Sequence, residues 1–299
     1  MFSVVIPSRN SSAYIEHALK SIVNQDTDLP IEVIIIDDNS EDFLLLDEVV
    51  SNYSEILDLT LISVNIKTNA SYCRNVGIKK AKYDLICLLD ADDYWSTNKL
   101  SSGYKILKNS SGRVVVYGVL HRGTREDYTN EQYDILPKRD IGSQERLSDY
   151  IFIHDGVIQT SSIIYRRSDF IDILFNENLE RHQDYDFCFK LEASGAIFLL
   201  DRNSITNWVI LDPNVTAVKK GATLSFCLSW LESNMEYITP KSMSAYLIKV
   251  AMLVSIREGV FYKWILYMLK ERRLDLFTLN QLRFIFIKLL RKKIKRFYL

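Results

Sequence analysis

Cysteine, histidine, proline and glycine are all scarce in this chain of 299 residues, at four, four, five and ten copies. So few glycines and prolines exclude a collagen-like or low-complexity chain. No two of Cys73, Cys87, Cys188 and Cys227 have the spacing of zinc ligands, so they read as buried free thiols of a reducing compartment. No run of about 18 apolar residues occurs, which leaves no clear membrane-spanning helix. The first residues lack a basic segment, and Pro7 and Arg9 interrupt the opening apolar stretch at once. That reads as no signal peptide, and hence as a cytoplasmic protein.

What is present is an ordinary globular composition, 47% hydrophobic and 25% charged. The net charge of −1 hides an asymmetry. Residues 241–299 carry 14 Lys and Arg against 3 Asp and Glu, whereas residues 1–240 carry 23 against 35. The acidic part argues against a nucleic-acid channel, and the basic end points to an anionic surface.

Phe2–Ile6, Glu32–Ile36, Leu59–Val64 and Leu85–Leu89 read as short strands, the uniformly apolar ones as strands buried on both faces. Helical spacing falls at 12–25, with Ile15, Leu19, Ile22 and Val23 inward, and at Ser71–Lys80. Strands alternating with helices predict an α/β fold on a mainly parallel sheet flanked by helices, with ligands outside the carboxyl ends of the strands. Three polar clusters fall at that edge: Pro7–Asn10, Asp37–Ser40 and Asp90–Asp93. Beyond residue 100 the pattern loosens. Val114–Leu120, Ser161–Tyr165, Ala196–Leu200 and Thr206–Leu211 read as strands, Asp184–Ala193 as a helix, and 121–148 as loop. From 221 the chain reads as helical, over 224–235, 243–258, 260–270 and 279–297. The expected organisation is a catalytic domain over 1–220, split at residue 100 into a nucleotide-binding half and an acceptor half, then a helical, basic region over 221–299.

Asp90, Asp92 and Asp93 follow a buried strand directly. Carboxylates crowded at a strand end repel unless a cation neutralises them, and hard oxygen ligands suit Mg²⁺ or Mn²⁺ shared with substrate phosphates. An acidic turn capping the next helix would use the same residues. Asp38 stands where a carboxylate accepts from a base N–H or a ribose, and also where an Asx-type turn would place one. Arg74, at a helix start, offers a fork of donors for phosphate. Asp184 reads either as a helix cap or as a general base.

Together and in this order, Ser3–Asn10, Glu32–Ser40, Ser71–Gly77, Lys82–Asp84 leading to Asp90–Trp95, and Gln183–Asp186 resemble the family 2 glycosyltransferases of the GT-A fold, which build bacterial surface polysaccharides. The resemblance is dense over residues 1–100 and thinner to Asp186. It implies that Pro7, Ser8 and Asn10 line a nucleotide pocket and that Asp38 meets the base, commonly uracil. Arg74 would approach the phosphates; Ser71 and Ala91 would lie in the donor site. Asp90 and Asp92 would be the DxD pair that holds the metal, Asp92 as the more direct ligand and Asp90 nearer the ribose. Asp184 would be the catalytic base of an inverting transfer from a UDP-sugar to a glycan or lipid-linked acceptor. Two positions depart from the pattern: Arg9 replaces an aromatic or small residue and would alter the pocket or add a phosphate contact, and Gln183 replaces a glutamate.

The stretch 279–299 interleaves apolar residues with Arg283, Lys288, Arg291, Lys292, Lys293, Lys295 and Arg296, and has no acid. Such a helix can lie in an anionic membrane interface or dock on the domain. The expectation is a protein peripheral at the inner face of the cell membrane. A nucleotidyltransferase is disfavoured because Pro7–Asn10 contains neither glycine nor lysine. A non-catalytic nucleotide-sugar-binding partner has only the Gln183 departure in its support.

Overall fold

A computed structural model of the protein describes residues 1–211, 223–271 and 273. The chain divides into two compact units, Met1–Ser143 with Gly156–Thr216, and Gln144–Asp155 with Ala217–Leu299. The strands are β1 (Phe2–Ser8), β2 (Ile31–Asp37), β3 (Asp58–Ser63), β4 (Leu85–Leu88), β5 (Tyr94–Trp95), β6 (Val114–Gly123), β7 (Asp134–Leu136), β8 (Ile163–Arg166) and β9 (Ile197–Val209). The helices are α1 (Ile15–Val23), α2 (Phe43–Ser51), α3 (Ala70–Lys80), α4 (Lys99–Asn109), α5 (Arg125–Thr129), α6 (Leu147–Phe152), α7 (Gln183–Ala193), α8 (Leu224–Ser233), α9 (Pro240–Tyr246), α10 (Leu253–Arg257) and α11 (Phe261–Lys270).

In the first unit the sheet runs β3-β2-β1-β4-β8-β6-β9-β5, with β7 beside β6. β3, β2, β1 and β4 are parallel. The far half is mixed: β8 runs antiparallel to both β4 and β6, while β6 and β9 are parallel. β1 and β4 are buried along their whole length, which is why they read as unbroken apolar runs. β1 pairs with β4 only from Phe2 to Val5, whereas it pairs with β2 as far as Ser8. Pro7, which has no N–H, therefore lies where the β4 partner has already ended. The parting of β1 from β4 is a switch point, the crevice where α/β sheets receive ligands. Gly77 lets α3 approach β1: a Cβ there would stand 2.4 Å from Val5 Cγ1.

Several elements differ from the sequence expectation, β5 and α4 among them, which it did not contain. α2 was not expected, because Leu44 and Leu45 are exposed and blur its period; only Leu46 and Val50 of that helix are buried. The stretch 121–148, expected as loop, begins with the end of β6 and carries α5, β7 and the start of α6. α5 is started by a capping box between Thr124 and Asp127. Finally, 197–209 is one strand instead of two. Its polar middle is buried, Asp201 and Ser204 both at 0% exposure, opposite a register shift between Gly118 and Val119.

Among the described residues, the second unit is helical. The predicted 243–258 helix is a continuous run from α9 through a π-helical stretch, Leu247–Met252, into α10. Phe152 of α6 packs edge-on against Trp230 and Tyr246, and the Tyr246 hydroxyl donates to the Cys227 carbonyl at 3.1 Å. The helix expected over 279–297 lies outside the described residues. Among the described residues no helix is long and apolar enough to cross a membrane. All four cysteines are free and buried.

Candidate donor-binding and catalytic site

The crevice between β1 and β4 gathers residues from four segments of the first unit. Arg74, buried on α3, links two of them: its Nη2 donates to Asp90 Oδ1 at 2.5 Å and its Nη1 to Gln183 Oε1 at 3.0 Å. The guanidinium also lies 5.2 Å from the Phe175 ring centroid. Its Nε is buried without a partner among the described residues. Gln183 is held in turn by donating from Nε2 to the Leu179 carbonyl at 2.7 Å. Asp184 follows on the first turn of α7, after His182 in the left-handed region at φ 60°. Its Oδ1 accepts from the Tyr185 N–H at 2.9 Å, and burial, together with the charge of Asp90, pushes its pKa above the ordinary carboxylate value against the opposing pull of Arg74.

The three acidic residues after β4 have separate environments. Asp93 is buried and fully engaged: Ser161 Oγ donates to it at 2.6 Å, Gln159 Nε2 at 2.8 Å and the Val209 N–H at 3.0 Å. Ser161 Oγ also accepts from the Asp90 N–H at 2.9 Å, and the Trp95 indole donates to the Ser161 carbonyl at 2.7 Å. This clamp fixes the loop that presents Asp90 and Asp92. Asp92 is partly exposed, and among the described residues no other side chain donates to its carboxylate. Burial and the neighbouring Asp90 charge raise its pKa to about 6. Among the described residues no three His, Cys, Asp or Glu side chains cluster as a metal cage. Two carboxylates, one lacking a side-chain donor and disfavoured as an anion, instead fit a cation that takes its other ligands from substrate phosphates and water.

The remaining candidates stand at the ends of β1 and β2. Asp38 Oδ1 accepts from the Thr68 N–H at 2.5 Å and its hydroxyl at 2.7 Å. Arg9 Nη1 donates to the Asp38 carbonyl at 3.1 Å and lies 3.5 Å from Oδ2. Arg9 thus rests on the residue expected to meet the base. Ser8 Oγ is 2.5 Å from Ser11 Oγ, and Asn10, at φ 47°, accepts from the Glu41 N–H at 2.9 Å. Ala91 is buried. Ser71 is buried and its hydroxyl has no partner among the described residues. Sequence reasoning did not single out Gln159 or Lys99, and named Trp95 only as the end of the Asp90–Trp95 motif. Lys99 is buried, donates from Nζ to the Ser162 carbonyl at 2.7 Å, and is lowered by burial to a pKa of about 8. A lone lysine at a helix start carries no signal of such a role.

Residues 3–174 match the family model described as Glycosyl transferase family 2. The amylovoran biosynthesis glycosyltransferase AmsB of Erwinia amylovora is 32% identical over 247 residues, which is 82% of this chain and 81% of that protein. The poly(ribitol-phosphate) beta-N-acetylglucosaminyltransferase TarS of Staphylococcus aureus is 29% identical over 212 residues, 67% of this chain but only 34% of that protein. The crystal structure of S. aureus TarS 1-349 in complex with UDP-GlcNAc superposes with a TM-score of 0.58 at 19% identity, over 88% of this chain and 71% of that one. At that identity the superposition speaks for the fold alone.

Proposed function

Since the chain belongs to glycosyl transferase family 2, we propose that it moves a sugar, with inversion, from a UDP-sugar to a glycan or lipid-linked acceptor in surface-polysaccharide synthesis. The observation that carries this reading is the Arg74 bridge between Asp90 and Gln183, one residue from Asp184, at the open end of β1 and β4. It joins a phosphate-binding fork to a carboxylate suited to proton abstraction.

Asp184 takes the proton of the acceptor hydroxyl, whose oxygen then attacks the anomeric carbon. Its raised pKa brings its basicity closer to that task. Arg74 meets the negative charge that develops on the departing diphosphate. Asp38, with Arg9 beside it, receives the base, and the partnerless Ser71 hydroxyl and Arg74 Nε supply spare donors at the nucleotide. A Mn²⁺ or Mg²⁺ ion held by Asp92 and Asp90 with the donor phosphates would supply Lewis-acid neutralisation of the leaving group. The test is a binding titration of nucleotide sugars with and without Mn²⁺, repeated with Asp92→Ala. Mn²⁺-dependent binding of one UDP-sugar, lost in the variant, is the expected result. Binding of no nucleotide sugar under any metal would leave a non-catalytic partner as the better reading.

A second feature favours work at an anionic membrane surface, on the cytoplasmic side. α11 exposes Tyr262, Ile265, Leu266 and Leu269, at 59, 38, 59 and 55%, in the i, i+3, i+4, i+7 spacing of one helix face. Lys263 and Lys270 lie on the same helix, and the basic sequence after it adds charge of the same sign. An apolar stripe with lysines suits the headgroup boundary of an acidic bilayer. Failure of the protein to co-sediment with vesicles containing phosphatidylglycerol at physiological salt would remove this reading.

A further inference from the structure

Next to Arg74 on α3 stands Asn75, 2% exposed, to which the transfer reading gives no task. Its amide meets the segment 171–182, which enters α7 and contains neither helix nor strand. Buried backbone groups in such a segment have no ladder to pair with and need side-chain partners. Asn75 Nδ2 donates to the Phe175 carbonyl at 2.9 Å, and Asn75 Oδ1 accepts from the Phe175 N–H at 2.9 Å. One amide thus does for Phe175 what a paired strand residue does. An aspartate in its place could not donate, and a leucine could do neither. Nδ2 also donates to Glu177 Oε1 at 2.8 Å, and Asn69, the cap of α3, donates from its own Nδ2 to the Glu177 carbonyl at 2.6 Å.

What Asn75 holds leads on to Asp184. Phe175 is buried, and its ring stacks on that of Phe187 at 4.0 Å between centroids and 12° between planes. Phe187 follows Asp184 by three positions on α7, so the two share a helix face one turn apart. The Arg74 guanidinium lies over the same Phe175 ring and bonds Gln183, the first residue of α7. Two neighbouring residues of α3 therefore grip the turn that carries Asp184, one through a ring stack and one through a side-chain amide.

We propose that Asn75 is a positioning residue for Asp184: it fixes the Phe175 backbone, and through the Phe175–Phe187 stack it sets the place of the base. This rests on the glycosyltransferase reading above, with Asp184 as its base. A catalytic group displaced by about 1 Å loses on the order of 10²-fold in rate. The hydrogen bonds of the Asn75 side chain go to Phe175 and Glu177, and among the described residues none goes to Asp38, Asp90 or Asp92. Its loss therefore falls on the proton-transfer step and leaves donor binding in place.

The experiment makes Asn75→Asp in the full chain, alone and on top of Asp184→Asn. Turnover is read as UDP released from the UDP-sugar that the titration above selects, with Mn²⁺ and with methyl glycosides offered as acceptors. Rates are divided by the number of UDP-binding sites, so that unfolded protein does not count. The expected result is a kcat lowered about 10–100-fold by Asn75→Asp, with donor Kd within about twofold. On top of Asp184→Asn the same substitution changes the residual rate by less than about twofold, because its effect passes through the base. Adding Glu177→Gln to Asn75→Asp supplies an amide that can donate to the new carboxylate, and kcat recovers by about threefold or more. An unchanged kcat overturns the proposal, as does an equal fall with and without Asp184, or a donor Kd that rises as far as kcat falls. If Asn75→Asp yields no folded protein, Asn69→Ser keeps the helix cap and breaks the bond to Glu177. It should lower kcat by about two- to fivefold at unchanged donor Kd, and an unchanged kcat there overturns the proposal equally. A wild type that binds no nucleotide sugar, or an Asp184→Asn that turns over normally, would instead fail the glycosyltransferase reading or its base.

Discussion

Replacing Asp92 by asparagine removes a charge that the folded, ligand-free protein holds at a cost. The Asp92 carboxyl has a folded-state pKa of about 6 against an ordinary 3.8, because burial and the Asp90 charge disfavour its anion. At a pH above both values that rise of roughly two units corresponds to about 3 kcal/mol. Part of the carboxylate reaches solvent, so about 1–2 kcal/mol is the gain to expect from the neutral isostere. Its pH dependence has a fixed sign. The cost is full above the folded pKa, shrinks as pH falls through 6 toward 3.8, and is absent below. Thermal and urea unfolding in EDTA, at about pH 7.5 and pH 4, measure it; for a domain of this size the gain is roughly 2–8 °C in Tm. The same variant should lose the stabilisation that UDP-sugar with Mn²⁺ gives the wild type. An Asp92→Asn protein no more stable than wild type at the higher pH, or a gain undiminished at the lower one, would refute the picture of a strained carboxylate awaiting a cation.

Four other substitutions test the rest of the site. Asp184→Asn should lower kcat by roughly 10²–10⁴-fold while donor Kd stays within about twofold; in the wild type, kcat should rise with pH through a limb above the ordinary aspartate range, since burial raises that pKa. Arg74→Lys keeps the charge but cannot reach both Asp90 and Gln183, so kcat/KM for donor should fall by about 10–100-fold in steady-state assays. Ser161→Ala strips Asp93 of a 2.6 Å donor and leaves the Asp90 N–H without its acceptor; urea titration should show a loss of about 2–4 kcal/mol with an unchanged m-value. Gly77→Ala would force a Cβ to 2.4 Å from Val5 Cγ1 and should cost about 1–3 kcal/mol by the same measurement.

β1, β2 and β4 of the parallel half are legible because they are buried on both faces and therefore almost uniformly apolar. Elements escaped where that logic breaks. β9 continues through Asp201 and Ser204 although both are polar and buried: Ser102 Oγ donates to Asp201 Oδ1 at 2.8 Å and the Lys99 ammonium lies in the same buried region, while the Ser204 hydroxyl has no partner among the described residues. Apolar periodicity cannot see a strand whose core contacts are polar. α2 shows the opposite failure, since Leu44 at 83% exposure presents an apolar residue to solvent. The start of α5 did carry a readable signal in Thr124-Arg125-Glu126-Asp127, whose first and last members cap the helix reciprocally.

In the site, the types of residue were legible and their division of labour was not. Three consecutive-looking carboxylates became three roles only when Ser161, Gln159 and the Val209 N–H, 66 to 116 residues downstream, were brought onto Asp93. Gln183 is the sharpest case. Read from the sequence, it is a departure that removes a charge from beside the base. In the structure its amide accepts from Arg74 Nη1 and donates to the Leu179 carbonyl. A glutamate could do the first more strongly, but when ionised it has no hydrogen for the second. It would also add a negative charge next to Asp184, whose pKa burial and Asp90 already raise. The neutral amide therefore keeps Arg74 aimed across the crevice while leaving its charge for Asp90 and, on the proposed reading, a donor diphosphate, so the substitution is compatible with turnover and does not by itself mark the chain as a silent binder.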